Sequence, residues 1–217
     1  MKAKHTDKQA LELWRRFHEG LAKDVPVDDG LSRHEIDRRR KELERDPVEW
    51  IRYFFPAYAK YEFAPFHIKA IRRIVGNDEW YEVLSWSREL AKSTVAMFVL
   101  MYLTLTKRKR FVALAAATID AATRLLAPYK ANFEKNARLI QFYGKQETIG
   151  AWTDKEFTCA CGAKFIALGA GSAPRGMRNE AIRPDVLYFD DYDTDEDCRN
   201  PATLDKKWQW AEQALYP

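Results

Sequence analysis

Two stretches of the chain carry residue types that could act together on a phosphate ester. The first is Ser85-Trp86-Ser87-Arg88-Glu89-Leu90-Ala91-Lys92-Ser93-Thr94, lying between a short β-prone run and a long apolar one. A lysine followed by a hydroxyl residue at a strand-to-helix junction has the chemistry of a phosphate loop. Helix amides and the lysine hold phosphate oxygens, and the hydroxyl binds Mg2+. Lys92 and Ser93 stand in those two positions, while Trp86 and Ala91 stand where the usual loop has glycines. A left-handed backbone at Ala91 would cost about 1–2 kcal/mol, so the loop must either avoid that conformation or tolerate the strain. Taken alone, the segment is also open to an ordinary βα turn with a surface lysine.

The second stretch is Asp185-Val186-Leu187-Tyr188-Phe189-Asp190-Asp191, four apolar residues followed by two acids. An ATP-hydrolysing phosphate-loop site needs a carboxylate at the end of another buried strand, which binds Mg2+ through water. Asp190 would serve the metal, and Asp191 would orient or deprotonate the attacking water. By itself the segment could be a strand running into an Asp-rich turn. Both stretches, in this order and separated by strand and helix material, point to ATP and Mg2+.

The elements that must position these residues alternate in type. Residues 7–24 repeat Leu11, Trp14, Phe17 and Leu21 at helical spacing, with Thr6 as a cap. Ser32 with Glu35 three positions later forms a capping box, and Asp46-Pro47 marks another helix start, ending at Pro56. The first sixty residues are thus expected to be a polar helical segment, with the second domain spanning 61–217. There, residues 81–86 read as a strand, 92–106 as an apolar helix and 111–117 as a strand. A helix from 119 to about 136 follows despite Pro128, then a hairpin over 157–168 around Cys161-Gly162 and a strand at 186–189. Strands without polar alternation are buried on both faces, the mark of a mostly parallel sheet covered by helices. The expected class is α/β in three layers.

Bulk properties narrow the field. A length of 217 residues allows one to two domains. Charged residues at 31% and hydrophobic residues at 47% fit a globular protein and argue against a membrane one. The longest apolar run, Val95 to Leu103, is half of the ~20 residues a bilayer span needs. The N-terminus Met1-Lys2-Ala3-Lys4-His5 leads into a charged helical pattern without an apolar signal region, so export is not expected. Cys159, Cys161 and Cys198 are too few for a disulfide framework, which suits a reducing cytoplasm. Cys159 and Cys161 could ligate zinc, but four ligands are required and none of His5, His18, His34 and His67 lies nearby in sequence. The net charge of +4 permits a polyanionic partner without requiring one. Arg33, Arg38, Arg39, Arg40, Lys41 and Arg45 crowd together, either as a solvated helix face with Glu35/Arg39 and Lys41/Arg45 spacings or as phosphate contacts. A second basic cluster runs from Lys107 to Arg110.

Ser87-Arg88-Glu89-Leu90-Ala91-Lys92-Ser93-Thr94 resembles the deviant phosphate loop of phage terminase large subunits. Residues 171–197 (GSAPRGMRNEAIRPDVLYFDDYDTDED) are similar to the Arg-Gly segment and the strand that follows it in those proteins. The resemblance runs from about Phe63 to the end. It implies a RecA-like fold of the additional-strand (ASCE) class of phosphate-loop NTPases, preceded here by the helical segment. It also implies ATP hydrolysis driving double-stranded DNA into a prohead, in the host cytoplasm. Lys92 would hold the phosphates, Ser93 and Asp190 the Mg2+, and Asp191 would take the place of a catalytic glutamate common in relatives. Arg88 matches an arginine that acts on the γ-phosphate in some members, and Arg175 and Arg178 are rival candidates. Phe63-Ala64-Pro65-Phe66-His67 resembles an adenine-binding segment, with His67 where the family has Gln; a helix start at Pro65 explains it as well. Implied partners are DNA, a portal protein, a small terminase subunit and a ring of like subunits. The family's coupling motif and C-terminal nuclease part find no match in these residues, so a fragment or a divided protein is expected.

Three other assignments stay open. The chain could be another RecA-like DNA motor such as a helicase, or a nucleotide-binding module that is silent alone. A metal nuclease using Asp190, Asp191, Asp193 and Asp195 would leave Lys92 and Ser93 unexplained.

Overall fold

Helical and extended stretches alternate as the apolar pattern requires, and the result is an α/β fold. The computed structural model describes residues 25, 27–56, 58, 62–172, 183–194 and 196–214. The elements are α1 (Arg33–Leu43), α2 (Pro47–Phe54), α3 (Pro65–Val75), α4 (Lys92–Leu105), β1 (Phe111–Ala116), α5 (Ile119–Lys135), α6 (Ala137–Tyr143), β2 (Glu156–Thr158), β3 (Lys164–Gly169), β4 (Val186–Phe189), a short 3-10 turn at Asp197–Arg199 and α7 (Pro201–Ala214). The helix expected over residues 7–24 lies outside the described residues. No helix among the described residues is long and apolar enough to cross a membrane.

The chain forms two compact units. One comprises residues 1–80 and 131–145, the other 81–130 and 146–217. In the first, local start signals act as expected. Glu35 Oε2 accepts from Ser32 N at 2.8 Å and Ser32 Oγ accepts from Glu35 N at 3.3 Å, closing the capping box of α1. Asp46 Oδ1 accepts from Val48 N at 2.9 Å, with Pro47 opening α2. Trp50, Ile51, Phe54 and Phe55 are fully buried. Two polar side chains of this core are paired: Trp50 Nε1 donates to Tyr143 Oη at 2.8 Å, and Asn136 Nδ2 donates to the Phe54 carbonyl at 2.7 Å. The basic cluster on α1 is only partly a solvated face. Arg39 pairs with Asp28 at 2.7 Å and lies over the Tyr53 ring, while Arg40 donates to the Phe142 carbonyl at 3.0 Å. Both arginines therefore fasten α1 to distant parts of its own unit, through partners that helical spacing cannot reveal.

The second unit is built on a four-stranded mixed sheet of order β2-β3-β1-β4. β1 lies parallel to both β3 and β4, and β2 is antiparallel to β3. Every residue of β1 is buried, which explains its unbroken apolar sequence. α4 is buried without interruption from Val95 to Leu105. α5 runs through Pro128 to Lys135. Gly169 ends β3 where the start of α5 comes close; a Cβ there would lie 2.6 Å from Ile119 N. The strand expected at 81–86 is not formed: residues 81–87 are irregular and belong to no sheet. Tyr81 and Val83 are 76% and 67% exposed. Their β-propensity is a fitness for packed, pleated surfaces, and it produces no strand where alternate side chains stand exposed.

Candidate functional site

α4 begins in an unusual way. Ala91, its N-cap, has φ 57° and ψ 30°, a left-handed conformation, and no side chain caps the helix. Glu89 is also left-handed, at φ 68°. α1, α2 and α6 are capped by Ser32, Asp46 and Asn136. The first turn of α4 therefore presents backbone N–H groups with no intrahelical carbonyl, and the turn itself holds no acidic residue to offset the positive end of the helix dipole. Ser87, Arg88, Glu89, Leu90 and Ala91 are exposed, and Lys92 and Thr94 are half-buried. Lys92 Nζ donates to the Trp86 carbonyl at 2.8 Å, closing the loop on itself.

Ser93 Oγ donates to Asp190 Oδ2 at 2.5 Å. The hydroxyl that follows the lysine thus meets the first acid after β4, although 97 residues separate them. Asp190 is held in place because the ladder continues one residue past the strand, Asp190 N donating to the Ala115 carbonyl at 3.0 Å. Asp191 then turns left-handed, at φ 43°, and its carbonyl accepts from Ala117 N at 3.2 Å. The two acids sit at the carboxyl ends of parallel strands, where the chain crosses from β3 on one side of β1 to β4 on the other. Such a switch point is where open α/β sheets bind ligands.

Tyr188 belongs to this cluster and its side chain was not foreseen there. Residues i and i+2 of a strand share a face, and Tyr188 Oη donates to the same Asp190 oxygen at 3.1 Å. Burial, then the neighbouring Asp190 charge, pushes the Tyr188 hydroxyl far above its ordinary range. Beneath it the Tyr129 hydroxyl of α5 is buried without a hydrogen-bond partner among the described residues, and burial raises it likewise. Leu187 and Phe189 point to the opposite face and pack with Ala113, Ala115, Tyr192 and Trp210.

No family model and no curated protein matches this chain.

The remaining acids of the run 185–197 have separate tasks. Asp185 accepts from Arg110 N and Phe111 N, both at 2.8 Å, stapling the starts of β4 and β1 together. Asp193 and Asp197 pair with Lys207 of α7, whose ammonium also donates to the Tyr192 carbonyl at 2.9 Å. Lys207 first, then Thr194, holds the Asp197 carboxyl down at about 2. Asp195 lies outside the described residues. Among those described, no three of His, Cys, Asp and Glu come together to hold a metal ion. Ser93 and Asp190 would leave most positions around a Mg2+ to water and phosphate oxygens, as that ion prefers. A cavity of about 300 Å³ lies nearby at the ends of β1 and β3, bounded by Ala117, Gly171, Thr194, Lys206 and Trp210; neither Ser93 nor Asp190 lines it.

Arg175 and Arg178 lie outside the described residues. Phe66 and His67 belong to the first unit, at the start of α3. Their rings lie 4.2 Å apart, and His67 Nδ1 accepts from Ala64 N at 3.2 Å, doing the work of a cap.

Proposed function

We propose that this chain is the ATP-hydrolysing motor part of a phage terminase large subunit, with a RecA-like sheet. The observation that carries the proposal is the hydrogen bond from Ser93 Oγ to Asp190 Oδ2. A hydroxyl at the start of an uncapped helix and a carboxylate at the end of a parallel strand are the two protein ligands a Mg2+–nucleotide requires. The uncapped amides of α4 supply donors to phosphate oxygens. Lys92 would exchange the Trp86 carbonyl for phosphate oxygens, and Ser93 and Asp190 would hold a Mg2+ ion. When bound, that ion would supply positive charge to offset the phosphate oxygens. Asp191 orients the water for in-line attack, and Arg88, on the exposed turn of the same loop, reaches toward the transferred phosphoryl group. The work done is translocation of double-stranded DNA by a ring of such subunits docked on a portal.

A second reading, a nucleotide-binding module silent on its own, is favoured by one feature: the Lys92 ammonium is already hydrogen-bonded within the loop. Steady-state ATP turnover separates the two, and titration with ATP, with and without Mg2+, tests the site they share. Lys92→Ala should weaken nucleotide affinity by removing a charge-assisted contact. Asp191→Asn should retain affinity and lose turnover. Equal turnover by wild type and Asp191→Asn would remove Asp191 from the chemistry, and Mg2+-independent binding would remove Ser93 and Asp190.

A further inference from the structure

Cys159 and Cys161 close the turn between β2 and β3 and take no part in the site proposed above. Gly162 N donates to the Cys159 carbonyl at 2.8 Å, Cys159 N donates to the Ala163 carbonyl at 2.7 Å, and Gly162 has φ 91°. These contacts make a tight hairpin turn in which the two cysteines stand at its first and third positions. Gln146 braces it, its carbonyl accepting from Ala160 N at 2.9 Å and its Oε1 from Cys161 N at 3.1 Å. The turn places the two side chains close enough for the Cys159 thiol to be the leading influence that lowers Cys161. The backbone at Ala163 and at Cys161 itself and the charge of Lys107 act on that thiol in the same direction. The pair is asymmetric in burial, Cys159 being buried and Cys161 only partly so. Two residues two positions apart span at most roughly 7 Å even when extended, so a turn brings their Cα atoms within the range a disulfide bridges.

We propose that the Cys159–Cys161 turn is a peroxide-reactive dithiol site, in which Cys161 is the attacking thiolate and Cys159 the resolving thiol. The Cys161 sulfur attacks one oxygen of a hydroperoxide. The O–O bond breaks, the leaving hydroxide or alkoxide takes a proton from water, and Cys161 becomes a sulfenic acid. The Cys159 sulfur then attacks the Cys161 sulfur, its proton leaves with the departing hydroxyl as water, and an intrachain disulfide forms. Two thiols are oxidised and one peroxide is reduced. A small neutral oxidant suits a half-buried sulfur at a hairpin turn. The Cys159 hydrogen bond first, with the backbone amides and Lys107 behind it, outweighs burial and brings Cys161 from 9.0 to about 7. Burial pushes Cys159 the other way, so it stays protonated until the sulfenic acid forms.

The test is hydrogen peroxide added to the reduced full chain at pH 7, followed by peptide mass spectrometry and dimedone trapping. The expected product is a peptide holding both cysteines that has lost two hydrogen atoms. Cys159→Ser, which keeps a donor of similar size, should stop at a dimedone-reactive sulfenic acid on Cys161. Cys159→Ala should slow Cys161 at pH 7. Loss of the leading influence that lowers Cys161 cuts its thiolate fraction at pH 7 by more than the rise in intrinsic nucleophilicity restores, a net loss of up to about fivefold. Above about pH 10 both are thiolates and the order should reverse, a signature that mere disturbance of the turn would not produce. The proposal is overturned if the exposed Cys198 is oxidised ahead of Cys161, if Cys159→Ala reacts at the wild-type rate at pH 7, or if Cys159→Ser yields no sulfenic acid on Cys161.

Discussion

Replacing Ala91 by glycine should stabilise this protein, and the size of the gain follows from its backbone. Ala91 sits at φ 57° and ψ 30° at the head of α4. An L-residue with a Cβ loses roughly 1–2 kcal/mol in that region relative to right-handed helix. Glycine carries no such penalty, but it raises the entropy of the unfolded chain by about 0.4–1 kcal/mol. The difference leaves a net gain of about 0.5–1 kcal/mol for Ala91→Gly. With an m-value of ~2 kcal/mol/M, the urea midpoint should rise by roughly 0.3 M. Ala91→Val should move it the other way and further, because β-branching makes a left-handed backbone a severe outlier. Equilibrium urea unfolding followed by tryptophan fluorescence and by circular dichroism measures both variants. An Ala91→Gly midpoint at or below the wild-type value would refute the claim that the loop stores strain. Strain of this kind concentrates where a ligand must approach backbone closely, so nucleotide titration of the same variant shows whether relief of strain alters binding.

Asp185→Ala removes the acceptor of two 2.8 Å backbone hydrogen bonds at the start of β1, one of them to the buried Phe111. Unfolding should show a loss of about 2 kcal/mol, roughly half of it recovered in Asp185→Asn, and a loss below about 0.5 kcal/mol would remove Asp185 as a staple. Tyr188→Phe deletes the hydroxyl that orients Asp190. The Mg2+ concentration for half-maximal nucleotide binding should rise about fivefold, matching a hydrogen bond of ~1 kcal/mol, with turnover at saturating Mg2+ unchanged; tighter Mg2+ binding would mean that the hydroxyl competes with the metal. Asp197 is held at about 2 against an ordinary 3.8, so its stabilising contribution is complete above 3.8 and is lost as the pH falls through 2. Thermal melts at pH 5 and pH 2 should therefore differ less in Lys207→Met than in wild type, and equal differences would show that the Lys207 pair does not set this dependence.

Where local chemistry decides, the sequence was a sufficient guide. Ser32 and Glu35 meet because a capping box needs only three residues of spacing, and β1 was visible as a strand because burial on both faces removes polar alternation, while β4 showed the same unbroken apolar run although only Val186 is buried. The run 81–86 is also rich in β-prone aromatic and aliphatic residues, yet a strand requires a neighbour to receive its backbone groups, and no local pattern states whether one is there. At Ala91 the sequence posed a choice between strain and avoidance; only the dihedral angles decide it, in favour of strain. The acids after β4 show the limit most clearly. Asp185, Asp190, Asp193 and Asp197 look alike in a chain, and what separates them is the partner each meets 75, 97, 14 and 10 residues away. Charge density along a sequence therefore overstates a metal site, since most of these carboxylates are already committed to a strand start or to Lys207. Tyr188 carries the converse lesson. It reads as one more apolar residue of a buried strand, until the parity of β4 puts its hydroxyl on the same face as Asp190. A polar atom in a buried strand is costly unless paired, so a tyrosine two positions before a strand-terminal acid is a signal that sequence inspection could have used.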